Sequence, residues 1–310
     1  MNIVFMGTPD FARDSLKALV EAGHTIKLVV TNPDKPKGRG MKMIPSDVKV
    51  YALEKGLEID QPLKVRKNEE FIEKIKNINP DLIVVVAYGK IIPKEILDIP
   101  RYGCVNVHGS LLPNYRGAAP IQWSVLNGDK ETGITTMYMD EGMDTGDIIL
   151  QEKVEIGEDE TTGELWDRLS NVGAKLLVET VKKIEEGVAP RIKQPEECTI
   201  APMIEKEYSK IDFEKETALK IKNKVRGLNP FMGAYANLNG HKFKFWKIQV
   251  SDMPKTSPGE ILVSNDKEGL IISTIDGSIK ILEIQGENAK KMGICDFLRG
   301  NNLNVGEKFN

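Results

Sequence analysis

Two polar side chains, Asn106 and His108, end an otherwise apolar run in CVNVHGSLLPNYRGAAPI, residues 104–121. Alternation along a strand puts Cys104, Asn106 and His108 on one face and Val105 and Val107 on the other. An amide beside an imidazole suits a reaction in which an oxygen gains charge while a proton moves. Amide N–H groups stabilise an oxyanion, and imidazole titrates near neutral pH. The competing use of both side chains is to hydrogen-bond neighbouring loops. A third group stands in MDEGMDTGD (139–147), where Asp144 lies between Gly142 and Gly146. Those glycines permit a tight loop that aims a carboxylate at the same crevice, or an Asx turn that caps only itself.

Such residues need a scaffold that leaves a crevice beyond its strand ends, as an open parallel sheet does. The amino-terminal half supplies one. Residues 2–6 read as a strand, and Gly7-Thr8-Pro9-Asp10 as a helix start with Thr8 as N-cap and Pro9 at the first helical position. The helix runs to about Ala22, and Ile26–Val30 is a second strand. Then come a helix over 46–55, a short strand at 58–60, a helix over 68–77 and the strand DLIVVVA, 81–87. That last run is apolar on both faces, as in parallel strands covered by helices on each side. Strands at 134–139 and 148–156 precede a helix over 162–186. The chain is therefore read as α/β: a doubly wound, Rossmann-like, mostly parallel sheet domain over 1–188, a Pro-rich linker at 189–205, and a small domain over 206–310. The last contains a helix at 216–226 and five short strands, which suggest an OB-like β-barrel.

The 310 residues include 40% hydrophobic and 29% charged positions, inside the globular range. No apolar run approaches the 18 or so residues of a membrane span, and the first residues lack the basic flank of a signal peptide. A cytoplasmic protein is expected. Three scattered cysteines and three scattered histidines suggest neither disulfides nor a metal site. Net charge is −3, but residues 206–310 hold 17 Lys and Arg against 13 Asp and Glu. A basic carboxy-terminal part on an acidic body suits a polyanionic partner, although solvated charge is as common. No GxGxxG or GxxxxGK[ST] fingerprint is present, which leaves dehydrogenases and P-loop NTPases without support. The loop NPDKPKGRGMKMIPSD carries Lys35, Lys37, Arg39 and Lys42 and can hold phosphates.

GTPDFA (7–12), NPDKPKGRG (32–40), VVAYGKIIP (85–93), NVHGSLLPNYRGAAPIQW (106–123), GMDTGD (142–147) and FLRGNNLNVGEKF (297–309) together resemble the methionyl-tRNA formyltransferases. The resemblance covers nearly the whole chain. It implies transfer of a formyl group from 10-formyltetrahydrofolate, a donor co-substrate, to the α-amine of initiator methionyl-tRNA. It also implies that Asn106, His108 and Asp144 are catalytic. Ser110, Leu111, Leu112 and Pro113 would lie against the folate, and Lys35, Lys37, Arg39, Lys42 and Lys206 would meet the tRNA. Neither a metal nor an obligate protein partner is expected. Asn114 stands where many relatives carry Arg or Lys and Met203 where some carry Lys, so each loses a possible phosphate contact. Amine attack on a formyl carbon passes through a tetrahedral species whose oxyanion needs a donor, which Asn106 or a protonated His108 provides. A covalent Ser110–His108 route is rejected: no GxSxG elbow surrounds the serine, and direct transfer needs no acyl-enzyme. The rival readings are a related formyltransferase acting on an amino sugar nucleotide or glycinamide ribonucleotide, and a non-catalytic RNA-binding protein.

Overall fold

The computed structural model describes residues 1–37 and 41–310, with the backbone alone at Lys37. The chain forms two compact units. Met1–Pro120, Glu131–Glu155 and Trp166–Pro202 make the first; Ile121–Lys130, Ile156–Leu165 and Met203–Asn310 make the second.

In chain order come β1 (Asn2–Gly7), α1 (Asp10–Glu21), β2 (Thr25–Val30), β3 (Lys35–Lys37), β4 (Lys42–Ile44), α2 (Asp47–Glu54) and β5 (Ile59–Asp60). They are followed by α3 (Glu69–Ile78), β6 (Leu82–Val86), α4 (Lys94–Leu97), β7 (Cys104–His108), β8 (Arg116–Gly117) and α5 (Pro120–Asn127). Then come β9 (Glu131–Tyr138), β10 (Ile148–Glu155), α6 (Thr162–Glu185) and β11 (Ile200–Ala201). Seven strands build one sheet in the order β10-β9-β7-β6-β1-β2-β5. β7, β6, β1, β2 and β5 are parallel; at one side β9 pairs antiparallel with β7, and β10 antiparallel with β9. The chain passes from β1 outward to β2 and β5 and then returns to β6 on the other side of β1. The loops after β1, β6 and β7 thus leave at one edge, around the point where strand order reverses.

Burial explains the unbroken apolar run of β6. Its five residues are all buried, and both of its faces are covered. Ile83 and Val85 join Val4 and Met6 against Phe71, Ile72 and Ile75 of α3, while Leu82, Val84 and Val86 point the other way and are equally inaccessible. Each such side chain stabilises the fold by about 1.5–3 kcal/mol relative to exposure. The start of α1 differs from the expected cap. Pro9 occupies the N-cap and Asp10 opens the helix, because the Thr8 hydroxyl is used elsewhere, accepting from Asn32 Nδ2 at 3.0 Å. The stretch read as a linker packs on the first unit up to Pro202: Ile192 bridges to Ile148, and β11 pairs in parallel with β8.

The second unit contains α7 (Ala218–Gly227), β12 (Ala234–Leu238), β13 (His241–Ser251), β14 (Ile261–Asn265), β15 (Gly269–Ser273), β16 (Ser278–Gln285), β17 (Met292–Gly293) and α8 (Ile294–Gly300). The antiparallel order is β12-β13-β16-β15-β14, with β17 on β16. The carboxy-terminal residues close it. Asn310 exchanges backbone hydrogen bonds with Asn237 on one side, while Glu307 and Phe309 bond to Ile261 and Gly259 on the other. Closure pairs both exposed edges and turns the sheet into a barrel. Phe309 fills its interior, in ring contact with Phe213, Phe243 and Phe245. Nearby in sequence, Lys224 and Glu216 form a buried ion pair at 2.5 Å, and Lys224 Nζ also donates to the Lys210 carbonyl at 2.9 Å.

Candidate active site

β7 is an interior strand, paired through Asn106 with Val85 of β6 and Met137 of β9, and through His108 with Thr135. Pairing on both sides fixes where its last side chains emerge. His108 is 5% exposed, and its Nε2 lies 2.9 Å from the Tyr115 carbonyl oxygen. A carbonyl only accepts, so Nε2 carries the proton, and Nδ1 is the nitrogen left for chemistry. Nδ1 faces Asp144 Oδ2 at 3.7 Å. Asn106 Nδ2 reaches Asp144 Oδ1 at 3.5 Å, the limit of a hydrogen bond. The three residues singled out from the sequence therefore converge.

Asp144 adopts a left-handed backbone, φ 56°, within the loop between β9 and β10. Asp140, not Asp144, makes the Asx turn there, accepting from Gly142 N at 3.0 Å and from the Thr145 hydroxyl at 2.6 Å. The Asp144 carboxylate instead crosses to β8, where Oδ2 accepts from Gly117 N at 2.8 Å. Gly117 must be glycine: its φ is 124°, and a Cβ would lie 2.7 Å from the Ala201 carbonyl of β11. Gly146 is constrained as tightly, since a Cβ would run into the Tyr138 carbonyl.

Between His108 and β8, the loop spends part of the predicted folate-contacting set on itself. The Ser110 hydroxyl is fully buried and its O–H is committed to the Asn114 carbonyl at 2.6 Å. Leu112 is buried with Met137 and Ile148. Thr135 Oγ1 donates to the Ser110 carbonyl and accepts from Leu112 N and from Gln151 Nε2, which tethers the loop to β9 and β10. Leu111 lies over the bare backbone of Gly133. Leu111 and Pro113 stay half-exposed and are the side chains a ligand can touch.

Sequence reasoning missed Gln194 and Thr199. Gln194 Oε1 accepts from Arg116 Nε at 3.0 Å and Nη2 at 2.8 Å, while its Nε2 donates to the carbonyls of Asp144 and Gly146, both at 2.8 Å. Thr199 binds the backbone N–H groups of Tyr115 and Arg116. The Pro that follows Gln194 was the available signal, and it read as a linker.

The basic loop emerges as the β3–β4 hairpin, Lys35 opposite Ile44 and Lys37 opposite Lys42. Lys35 and Lys42 are exposed; Arg39 and the Lys37 side chain lie outside the described residues. At the hairpin's root, hydrogen bonds from Lys49 and Gln61 hold the Asp34 carboxyl below its usual range. Lys206 is exposed on a short 3₁₀ turn of the second unit, and Met203 and Asn114 are exposed as well. Among the described residues, no group of three or more His, Cys, Asp or Glu side chains is placed to hold a metal ion.

The family model "Formyl transferase" matches residues 1–181, and "Formyl transferase, C-terminal domain" matches 203–302. Among solved structures, an N-formyltransferase from Helicobacter canadensis in complex with folinic acid and dTDP-3-aminofucose superposes with a TM-score of 0.68 at 20% identity, over 92% of this chain and 99% of that one. HypX from Aquifex aeolicus in complex with tetrahydrofolic acid gives 0.63 at 19% identity, over 99% of this chain; the chain spans about half of HypX, 50%. At such identities these two neighbours speak for the fold. Two sequence relatives are far nearer. The methionyl-tRNA formyltransferase of Caldanaerobacter subterraneus subsp. tengcongensis is 50% identical over 308 residues, 99% of each chain, and that of Clostridioides difficile is 50% identical over 307, again 99% of each. Half of all positions shared from end to end, across both matched domains, is kinship of the whole chain, which belongs to the methionyl-tRNA formyltransferase family.

Proposed function

We propose that this chain transfers the formyl group of 10-formyltetrahydrofolate to the α-amine of methionine esterified to initiator tRNA. The observation that carries the reading is the meeting of Asn106, His108 and Asp144 at the edge of the first unit, in a chain of this family. The donor supplies a formyl carbon bound to nitrogen, open to attack by an amine. The residues beside the site fit a flat, partly apolar ring system: half-exposed Leu111 and Pro113 flank buried Leu112, on a loop whose own polar side chain, Ser110, is already satisfied.

Three tasks then fall to three atoms. The formyl oxygen gains charge as the amine attacks, and Asn106 Nδ2 is available to donate to it, its contact among the described residues being the long one to Asp144. The attacking nitrogen must lose a proton. With Nε2–H committed to the Tyr115 carbonyl, neutral His108 can accept that proton at Nδ1 and cannot donate from it. Asp144, 3.7 Å away, compensates the charge that then forms on the ring. As the tetrahedral species collapses, the bond from the formyl carbon to N10 of the donor breaks, and the proton taken up at His108 Nδ1 passes to that departing nitrogen, which leaves tetrahydrofolate and a neutral imidazole. The exposed Lys35 and Lys42 of the hairpin, Lys37 and Arg39 of the same stretch of sequence, and Lys206 with the net-basic residues 206–310 supply the polyanion contacts that a tRNA needs. Aminoacylated tRNA is a cytoplasmic substrate, so the reading places the protein in the cytoplasm. No helix among the described residues is long and apolar enough to cross a membrane.

A transfer assay with four acceptors tests this: methionyl-tRNA, free methionine, a glycinamide ribonucleotide and an amino sugar nucleotide. Formylation of the tRNA-borne methionine alone is expected. Product on the nucleotide acceptors with none on methionyl-tRNA would sink the reading.

A further inference from the structure

We infer that Gln194, oriented by Arg116, is a positioning residue for Asp144, so that the segment leading out of the first unit sets the geometry of the transfer site. Asp144 sits in a left-handed conformation, which a non-glycine residue keeps only where its surroundings impose it. Gln194 imposes it from the backbone side. Its Nε2 spans the carbonyls of Asp144 and Gly146, each at 2.8 Å, on either side of Thr145. The orientation of that amide is not ambiguous. Carbonyls accept and a guanidinium donates, so NH₂ must face the loop and the oxygen must face Arg116. Arg116 is 8% exposed and is further held by the Pro195 carbonyl at 3.1 Å. The ring then closes, because Gly117, the next residue after Arg116, donates its N–H to the Asp144 carboxylate at 2.8 Å. Asp144 is gripped twice, by its backbone through Gln194 and by its side chain through Gly117.

The inference rests on Asp144 acting in transfer. Gln194→Glu separates orientation from packing. Its carboxylate keeps and strengthens the contact to Arg116, but it turns an acceptor oxygen towards the two loop carbonyls. Both Gln194→Glu and Gln194→Ala are expected to lower kcat for methionyl-tRNA formylation about ten- to hundredfold, the scale of a misplaced catalytic group. KM for methionyl-tRNA and for 10-formyltetrahydrofolate should stay within about twofold. In an Asp144→Asn background, adding Gln194→Glu should lower kcat by less than about threefold more, because the positioned group is already gone. Wild-type kcat in Gln194→Glu, or losses that multiply fully in the double variant, would overturn the inference while leaving Asp144 in the site. Full activity in Asp144→Asn alone would overturn the site assignment and this inference with it.

Discussion

Asn106→Ala is the most telling substitution, because structure and chemistry make opposite demands on that side chain. Its Nδ2 contact in the fold is 3.5 Å from Asp144 Oδ1, and the side chain is half-buried. Removing it should therefore cost the fold no more than about 1 kcal/mol. A donor aimed at a developing oxyanion is worth more, about 3–4 kcal/mol. At 1.36 kcal/mol per factor of ten, kcat should fall roughly 150- to 900-fold. His108→Ala is less clean. His108 is buried and donates to the Tyr115 carbonyl, so alanine leaves both a cavity and an unpaired acceptor, a stability loss of about 2–4 kcal/mol. The assay is formylation of methionyl-tRNA under single-turnover conditions at saturating 10-formyltetrahydrofolate, with thermal unfolding of the same samples. Asn106→Asp serves as the control of equal size: it keeps the shape, loses the donor and sets a second carboxylate against Asp144, so it should fall at least as far. A folded Asn106→Ala or Asn106→Asp variant turning over at near wild-type rate would refute the donor role. A rate loss that tracked a large fall in Tm would assign the residue to packing.

Two further predictions concern the scaffold. Lys224→Met should destabilise the second unit by about 3–5 kcal/mol, because it strands the buried Glu216 carboxylate; Lys224→Met with Glu216→Leu should recover most of that, and calorimetry finding the single variant no worse than the double would contradict it. Burial pushes the Cys104 thiol up to about 12 from its ordinary 9.0, so above pH 9 the thiolate forms in the unfolded chain first. The stability that follows is intact below pH 9 and is lost as pH rises towards 12, by about 1.4 kcal/mol per unit. Urea melts of wild type and Cys104→Ala across that window should diverge with this slope, and parallel curves would refute the burial argument.

How legible the site was depended on how local its causes are. Asn106 and His108 could be placed on one face because period-two alternation is a property of five consecutive residues, and β7 obeys it. The apolar run of β6 announced a strand covered on both sides for the same reason. Asp144 was half legible: the flanking glycines signalled a tight loop, but only the fold decides that Asp140 makes the Asx turn while Asp144 reaches Gly117. Gln194 was not legible. Its meaning lies in Arg116, 78 residues earlier, and in a carbonyl 50 residues earlier, and a glutamine beside proline looks the same when solvated. Thr8 shows the reverse failure, a good local cap signal overridden because Asn32 takes the hydroxyl. No strand pattern could name the amine. That information lay in motifs matched along the whole chain.

The tripeptide Tyr115-Arg116-Gly117 explains why groups so far apart in sequence can act as one. The Tyr115 carbonyl fixes the His108 tautomer, the Arg116 guanidinium orients Gln194 and the Gly117 N–H holds the Asp144 carboxylate. Three successive residues thus address His108, the Asp144 backbone through Gln194, and the Asp144 carboxylate itself. They are in turn held by β11 and Thr199, through the pairing of Arg116 and Gly117 with Ile200 and Ala201 and through the Tyr115 N–H. Groups gripped through one short segment cannot move independently. Substitutions at Gly117, Gln194 and Asp144 should therefore share one loss rather than add.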